Sequence, residues 1–362
     1  MIAARTPPAA IDVVCAGDPR EVGAAQGAGA KSKILAARDA LARLEAFRLQ
    51  QPWWLPYPLY RRIAEGKAAT FLAAALDRDY TAMSRRITGL ADGSGLSRNA
   101  IALFNAIEPM LSAVGGCTAC PGACSAVAVR GRRSATGEAV IARNFDYLPL
   151  VQPFYLMRDC RPNGERRALE FTTAPLAGTV DGLNEDGLCI TYDYAFTTDA
   201  PPGPAAPISM VISEALARCR TVTEAADRIA SRPRVGGGLL MLADATGDIA
   251  SLELSSTRSH LRRPEPGEDV LVHTNAFADP WMREVQAPWE SVYTDRAPRP
   301  LRGRRLHRSS EERDKRFAEL LRNTPGPLGP DELGAIMGDH GPAGTPDDYS
   351  PCVHGAYQGE RI

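Results

Sequence analysis

The sequence predicts an α+β chain, with a helical front followed by a mixed β-sheet sandwich covered by helices. Three observations predict it. Apolar residues in the front recur at helical spacing, short strand-like runs begin at about Cys124, and the later runs are interrupted by two paired helices and followed by more helix. In the front, Leu72, Leu76, Met83, Ile87 and Leu90 stand near helical spacing, and Asp92-Gly93-Ser94-Gly95 is a turn signal. Ser97 is placed to cap a helix with Ile101, Phe104, Ile107 and Leu111 on one face, ended by Gly115 and Gly116. Residues 125–129 and 139–142, joined by a turn at 135–138, read as a hairpin. Further strands are expected at 154–157, 168–172, 188–194, 239–243, 249–254 and 270–273. Helices are expected over 208–218, after a Pro-rich connection at 200–204, and from about Thr223. The basic, Pro-rich stretch 296–305 reads as a solvated loop, and Ser309 with Glu312 forms a capping-box pattern for a helix reaching Leu321.

Composition narrows the function classes. With 362 residues the chain has room for two or three units, or one large domain, and for a core that needs no staples. Lys and Arg number 42 against 43 Asp and Glu, which argues against a dedicated nucleic-acid binder. There is no run of eighteen apolar residues, so no membrane span is expected. The start MIAARTPPAAIDVV lacks a cationic end followed by a long apolar stretch, so the expected location is cytoplasmic. Eight Cys are too sparse for a disulfide scaffold, and free thiols are expected.

Cys15, Cys160, Cys189 and Cys219 lie in apolar stretches or beside turns and read as buried thiols. Cys117, Cys120 and Cys124 have the spacing C-x-x-C-x-x-x-C, which invites a metal or redox reading. The order is wrong for the best-known cluster loop, and His260 and His273 would join only through folding. The other reading is a single nucleophile. Cys124 precedes a hairpin that returns to Arg143-Asn144-Phe145-Asp146, bringing a thiol near a guanidinium and a carboxylate. The guanidinium favours the thiolate, and the carboxylate can orient an ammonium or accept a proton. From spacing alone, an ordinary Arg–Asp pair at a strand end explains the same residues.

The run CSAVAV at Cys124, TGEAVIARNFDY to Asp146, GLNEDGLCITYDY at 182–194 and GGLLMLADATGDIASLELS at 237–255 carry a resemblance. So do TVTEAADRIA, VHTNAF at 272–277, SSEERDKRFAELL and SPCVH at 350–354. In order and spacing they resemble the acyl-CoA:isopenicillin N (6-aminopenicillanic acid) acyltransferase family of autoproteolytic cysteine Ntn-hydrolases. The resemblance to penicillin V acylases and bile salt hydrolases is more distant. It implies a four-layer αββα sandwich, with residues 1–123 as a helical prosegment that becomes a small subunit and 124–362 as the catalytic domain. It also implies that the nucleophile cleaves the peptide bond before it, and that the freed α-amine, with a pKa of about 7.7–8.0, serves as general base for its own thiol.

Carried over by residue, Cys124 matches the nucleophile. It leads directly into a strand, whereas Gly116-Cys117-Thr118 matches only the local pattern of a Gly before the nucleophile. Arg143 matches the thiolate-supporting arginine of the bile salt hydrolase branch and leans towards hydrolysis. Asp146 matches the aspartate that binds the α-amine. Asn275 matches the oxyanion donor, an interaction of roughly 2.7–4 kcal/mol in comparable sites. His273 reads as a structural strand-end residue and Asn184 as a turn residue. Asp193 stands where the family has Asn, so it is either protonated, or serves another role, or leaves the oxyanion to Asn275 and backbone N–H groups. Val353 stands where relatives carry Arg, and relatives continue beyond Ile362 with a further strand.

The resemblance thus implies cleavage or formation of a linear amide through a Cys124 thioester, with no metal or organic cofactor and with acyl-CoA as a co-substrate if the enzyme transfers. The expected partners are a small-molecule amide or acyl substrate and the chain's own N-terminal fragment. Nucleic acid and membrane are not expected, and a homo-oligomer is left open. Aromatic and apolar residues in 148–153 and 196–207 point to an acyl chain or aromatic acyl group. The rival is a non-catalytic homologue that keeps the fold for binding or assembly, suggested by Asp193, Val353 and the C-terminus.

Overall fold

A computed structural model of the chain describes residues 10–113, 123–345, 347–354, 356–357 and 360–361. The front begins with strand β1 (Val13–Gly17) and continues through helices α1 (Pro19–Gly29), α2 (Lys31–Ala40), α3 (Glu45–Arg48), α4 (Tyr57–Arg78), α5 (Thr81–Ser94) and α6 (Arg98–Ala113). Asp18 starts α1 with a reciprocal capping box: its carboxylate accepts from the backbone of Arg20 and Glu21, and Glu21 Oε2 accepts from Asp18 N. Ser97 Oγ accepts from Ala100 N at 3.1 Å and starts α6, as its position suggested. Leu72 and Leu76 lie on α4, whereas Met83, Ile87 and Leu90 lie on α5, and all five are buried. Helices α1 and α5 approach so closely that a Cβ on Gly23 would lie 2.0 Å from Arg86 O, and one on Gly89 1.9 Å from Arg20 O.

The strand half then runs β2 (Ser125–Val129), β3 (Val140–Asn144), β4 (Tyr155–Pro162), β5 (Ala168–Thr173), β6 (Asp181–Asn184), β7 (Cys189–Ala195) and β8 (Ala206–Pro207). Helices α7 (Ile208–Arg218) and α8 (Val222–Ser231) come next. They are followed by β9 (Arg234–Val235), β10 (Gly237–Ala243), β11 (Ile249–Leu254), β12 (Ser259–Arg262) and β13 (Val270–His273). The helices α9 (Pro280–Arg283), α10 (Arg308–Asn323) and α11 (Pro330–Met337) follow, and a short antiparallel pair of strands, Ala356–Tyr357 and Glu360–Arg361, comes after them. One sheet has the order β1-β4-β5-β6-β7-β10-β11-β12, and a second has the order β13-β2-β3.

The alternation of side chains along β2 builds the layers. Ala126 and Ala128 pack on Met241, Ala243 and Ile249 of the large sheet, where small side chains let the two sheets meet. Val127 and Val129 face Phe317, Leu333 and Ile336 from α10 and α11. Burial of each valine contributes on the order of 1.5–3 kcal/mol. On the far side of the large sheet, Leu240, Leu242 and Leu252 join one core with Ile208, Val211 and Leu216 of α7 and with the front helices. The fold is α+β, with the order helix, sheet, sheet, helix.

Two expectations are corrected. The front is not all helix, because β1 pairs in parallel with β4 at the edge of the large sheet, with Cys15 opposite Cys160. A five-residue edge strand whose partner lies far along the chain leaves little periodic signal. Ser309 does not cap α10, which starts at Arg308 after His307. The Ser309 hydroxyl instead donates to Asp348 O at 2.6 Å and accepts from Arg313 Nε at 3.1 Å.

Front and strand half share buried polar ties. Gln26 Nε2 donates to the carbonyls of Ala174 and Leu176, and Arg158, fully buried, donates from Nη1 to Gln26 Oε1 at 2.7 Å and from Nε to Glu170 at 2.6 Å. Cutting such ties would strand buried polar groups, so they hold the two parts together.

Candidate active site

Hairpin register sets the geometry of the junction. Ser125 pairs with Asn144, and Ala123 N donates to Asp146 O at 3.0 Å, so Cys124 sits between them beside residues 144–146. This is the proximity the hairpin length suggested. Cys124 is buried, at 3% exposure. Cys117 and Cys120, with their metal and redox readings, lie outside the described residues. Of the histidines considered with them, His260 lies 3.6 Å from Asp279, and His273 belongs to the site below.

Arg143, on β3, is held by three acceptors from the neighbouring sheet. Its Nε donates to Asp193 Oδ1 at 2.9 Å, its Nη1 to Asp181 Oδ2 at 2.8 Å, and its Nη2 to the Tyr192 carbonyl. Its guanidinium also lies over the Phe145 ring, 4.6 Å from the centroid. Burial works against the charge of Arg143, but Asp181, Cys124 and Asp193 together hold the guanidinium above its ordinary range. Asp193 is fully buried, and its second oxygen lies 3.3 Å from His273 Nε2 without hydrogen-bond alignment. His273 Nδ1 meets Ser251 Oγ at 2.8 Å. The contact with Arg143 fits Asp193 to positioning that side chain. Burial pushes Asp181 up to about 6, with Arg143 and the Tyr192 N–H pulling the other way.

Asn275 follows β13 and is 2% exposed. Its Nδ2 donates to Tyr194 O at 2.7 Å, and its Oδ1 accepts from Arg313 Nη2 at 2.7 Å. Arg313 Nη1 donates to the carbonyl of Cys124 at 2.6 Å. Arg313 therefore bridges the nucleophile candidate and the oxyanion-donor candidate from α10. Sequence reasoning missed it, because it stands in the charged run SSEERDKRF beside solvent-facing neighbours. Asn184 is a turn residue, as expected: its Oδ1 accepts from Asp186 N and Leu188 N. Val353 is buried.

Asp146 is unlike the other acids of the site. Its Oδ2 is buried and has no hydrogen-bond partner among the described residues. Burial pushes its carboxyl up to about 7, against the pull of Arg313 and Arg143. Burial likewise pushes the Cys124 thiol well up, and the attraction of Arg143 does not offset it. With the peptide bond before it intact, Cys124 is therefore held as a thiol.

Cys124 also lines a cavity of about 150 Å³. Leu41, Leu44 and Phe104 from the front wall it on one side, and Phe145, Leu148 and Val151 on the other. The expected contribution of 148–153 is present, while only Pro207 of 196–207 reaches the wall. Its lining also includes Glu108, which accepts from Tyr192 OH at 2.8 Å, and Tyr194, whose hydroxyl lies 2.7 Å from Ser112 Oγ. Burial raises the Glu108 carboxyl, with the Tyr192 bond acting the other way. Among the described residues, no helix is long and apolar enough to cross a membrane.

Residues 133–340 match the model of the family described as acyl-coenzyme A:6-aminopenicillanic acid acyl-transferase. The matched segment starts after Cys124 and contains Arg143, Asp146, Asp193, Asn275 and Arg313. No curated protein matches the chain. Among solved structures, it is similar to an N-acylethanolamine-hydrolyzing acid amidase ortholog from Caenorhabditis elegans, at 15% identity and a TM-score of 0.43, over 63% of this chain and 97% of that one. It is also similar to penicillin V acylase from Agrobacterium tumefaciens, at 19% identity and a TM-score of 0.25, over 41% and 44% of the two chains. A conjugated bile acid hydrolase variant from Clostridium perfringens matches at 14% identity and a TM-score of 0.25, over 44% and 47%.

Proposed function

Because the chain belongs to the acyl-coenzyme A:6-aminopenicillanic acid acyl-transferase family, we propose that it is a self-processing cysteine enzyme that cleaves or forms a linear amide through an acyl-Cys124 thioester. The observation that carries this reading is Asp146 Oδ2, a buried carboxylate oxygen beside Cys124 with no partner among the described residues. Cleavage between Ala123 and Cys124 creates a cation at that place, the α-ammonium of Cys124, and so supplies the partner. An unpaired buried carboxylate is otherwise costly.

In processing, Cys124 Sγ attacks the Ala123 carbonyl and displaces the Cys124 nitrogen, which takes the thiol proton. Water then cleaves the thioester, leaving Ala123 with a carboxylate and Cys124 with a free amine. In turnover, the amine accepts the thiol proton and Sγ attacks the substrate's acyl carbonyl. Asn275 Nδ2 carries a second N–H besides the one that binds Tyr194 O, and it donates to the oxyanion. Arg313 fixes the Asn275 side chain by its oxygen. Asp146 holds the ammonium, while Arg143, locked by Asp181 and Asp193, supports the thiolate. The leaving amine takes the proton back, and water or an acceptor amine releases the acyl group.

The apolar cavity fits an apolar acyl group of small-molecule size, and the front segment, 1–123 in the chain, serves as the small subunit that completes the wall. Acid quenching during turnover of a panel of aliphatic and aromatic amides, with and without amine acceptors, tests this. The expected result is an acyl group, labile to hydroxylamine, on a peptide that begins at Cys124. Turnover with acylation at another residue, or none at Cys124 under burst conditions, would overturn it.

A further inference from the structure

We propose that His340, Cys352 and His354 form a binding site for one divalent transition-metal ion, zinc in the first instance, which fastens the loop at 347–354 to the end of α11. His340 Nε2 and His354 Nε2 lie 3.0 Å apart, His354 Nε2 and Cys352 Sγ lie 3.1 Å apart, and the three atoms all fall within 4.8 Å of one another. The backbone enforces this meeting. Cys352 N donates to Asp339 O at 3.1 Å, and His354 N donates to Asp347 O at 2.8 Å. Arg316 grips both oxygens of Asp339 at 2.8 Å, and Asn144 Nδ2 donates to the carbonyls of Met337 and Pro351 at 2.7 and 2.8 Å. Both arms of the cluster are therefore anchored by groups that take no part in it.

Protons satisfy these contacts poorly. An imidazole nitrogen has one in-plane position, either an N–H or a lone pair. His354 Nε2 faces two neighbours, His340 Nε2 and Cys352 Sγ, and cannot serve both well. A cation at the common point serves all three. Zinc bonds of about 2.0–2.3 Å in tetrahedral geometry separate ligand atoms by about 3.3–3.6 Å, so the two short contacts to His354 open by a few tenths of an ångström while His340 and Cys352, within 4.8 Å of each other, settle into the same range. Two imidazoles and a thiolate select zinc and similar ions over magnesium or calcium. On binding, the Cys352 thiol releases its proton to solvent, both imidazoles bind as neutral Nε2 donors, and water takes the fourth position. No redox step is involved. The three residues are half-buried, open enough for an ion to enter.

The cluster uses none of the three cysteines considered in the sequence, and zinc held by Cys124 must not be mistaken for zinc on it. The test therefore uses the full chain carrying Cys124→Ala, which removes both the reactive thiol and the aminothiol that processing would create. After equilibration with zinc and removal of excess, elemental analysis is expected to find one zinc per chain. His340→Ala and His354→Ala, checked for folding by circular dichroism, are each expected to weaken binding by at least about 10–100-fold, the loss that removing even an outer-shell partner brings. His340→Gln supplies a gentler variant where alanine disturbs the fold. With Co²⁺ in place of Zn²⁺, a thiolate-to-cobalt charge-transfer band is expected, and Cys352→Ser is expected to remove it. A folded chain that takes up no zinc overturns the proposal. So does zinc retained unchanged in a His340→Ala, His354→Ala double variant, or a cobalt band unchanged in Cys352→Ser.

Discussion

Cys124 stands between two unlike surroundings. On the side of the strand half lie two hydrogen-bonded sets, Arg143 with Asp181 and Asp193, and Arg313 with Asn275, held by bonds of 2.7–2.9 Å. On the other side lies an apolar cavity, to which the front contributes Leu41, Leu44 and Phe104. The polar side comes from strand ends and one helix of the strand half, and the front contributes fit. The contrast teaches that the chemistry and the acyl preference are separable: variants of the first should change rates or folding, and variants of the second should change which substrate is accepted.

The largest expected effect is on folding. Arg143→Leu leaves Asp181 and Asp193 buried without their cation, and a loss of about 3–5 kcal/mol is expected in chemical denaturation. Next is the oxyanion donor: Asn275→Ala is expected to lower acyl turnover by roughly 10²–10³-fold with little change in KM, in steady-state kinetics. Arg313→Met should do part of the same by freeing Asn275, although Arg313 need not touch substrate. On the cavity side, Leu44→Ala should shift preference towards longer acyl groups and Leu44→Phe towards shorter ones, by about 1–3 kcal/mol in relative kcat/KM. A rate loss uniform across acyl lengths in the Leu44 variants would break the separation.

The smallest effect sharpens the comparison through pH. In the uncut chain the Asp146 carboxyl is held at about 7, above its unfolded value near 3.8. Between those values the folded chain keeps a proton that the unfolded chain has lost, so stability falls as pH rises from about 4 to about 7 and is level above. Asp181, pushed up to about 6, adds in the same direction. In the Cys124→Ala chain, Asp146→Asn should remove a slope of at most about 1.4 kcal/mol per pH unit. After processing, an ammonium beside Asp146 should lower its pKa and reverse that contribution. An unchanged slope in Asp146→Asn would contradict the assigned burial effect.

Much of the fold was legible because its inner strands are short apolar runs. The segments at 249–254 and 270–273 and the helix at 208–218 coincide with β11, β13 and α7. Strand β1 escaped because edge pairing with a distant strand is not written in local periodicity. In the site, hairpin length brought Cys124 to Asp146 on paper. Arg313 and Asp181 were not visible, since they meet the site only through packing of α10 and β6 onto the hairpin. Ser309 shows the same limit, because its capping pattern was real in sequence while its hydroxyl is taken by Asp348 and Arg313.

The most direct measurement is the intact mass of freshly purified full-length protein beside its Cys124→Ala variant. The expected result is two fragments in the wild type that meet at Ala123 and Cys124, copurifying as one particle, and a single uncut chain in the variant. A wild-type chain that stays whole under conditions where it turns over amides, or one cut before Cys117 instead, would contradict Cys124 as the self-released nucleophile.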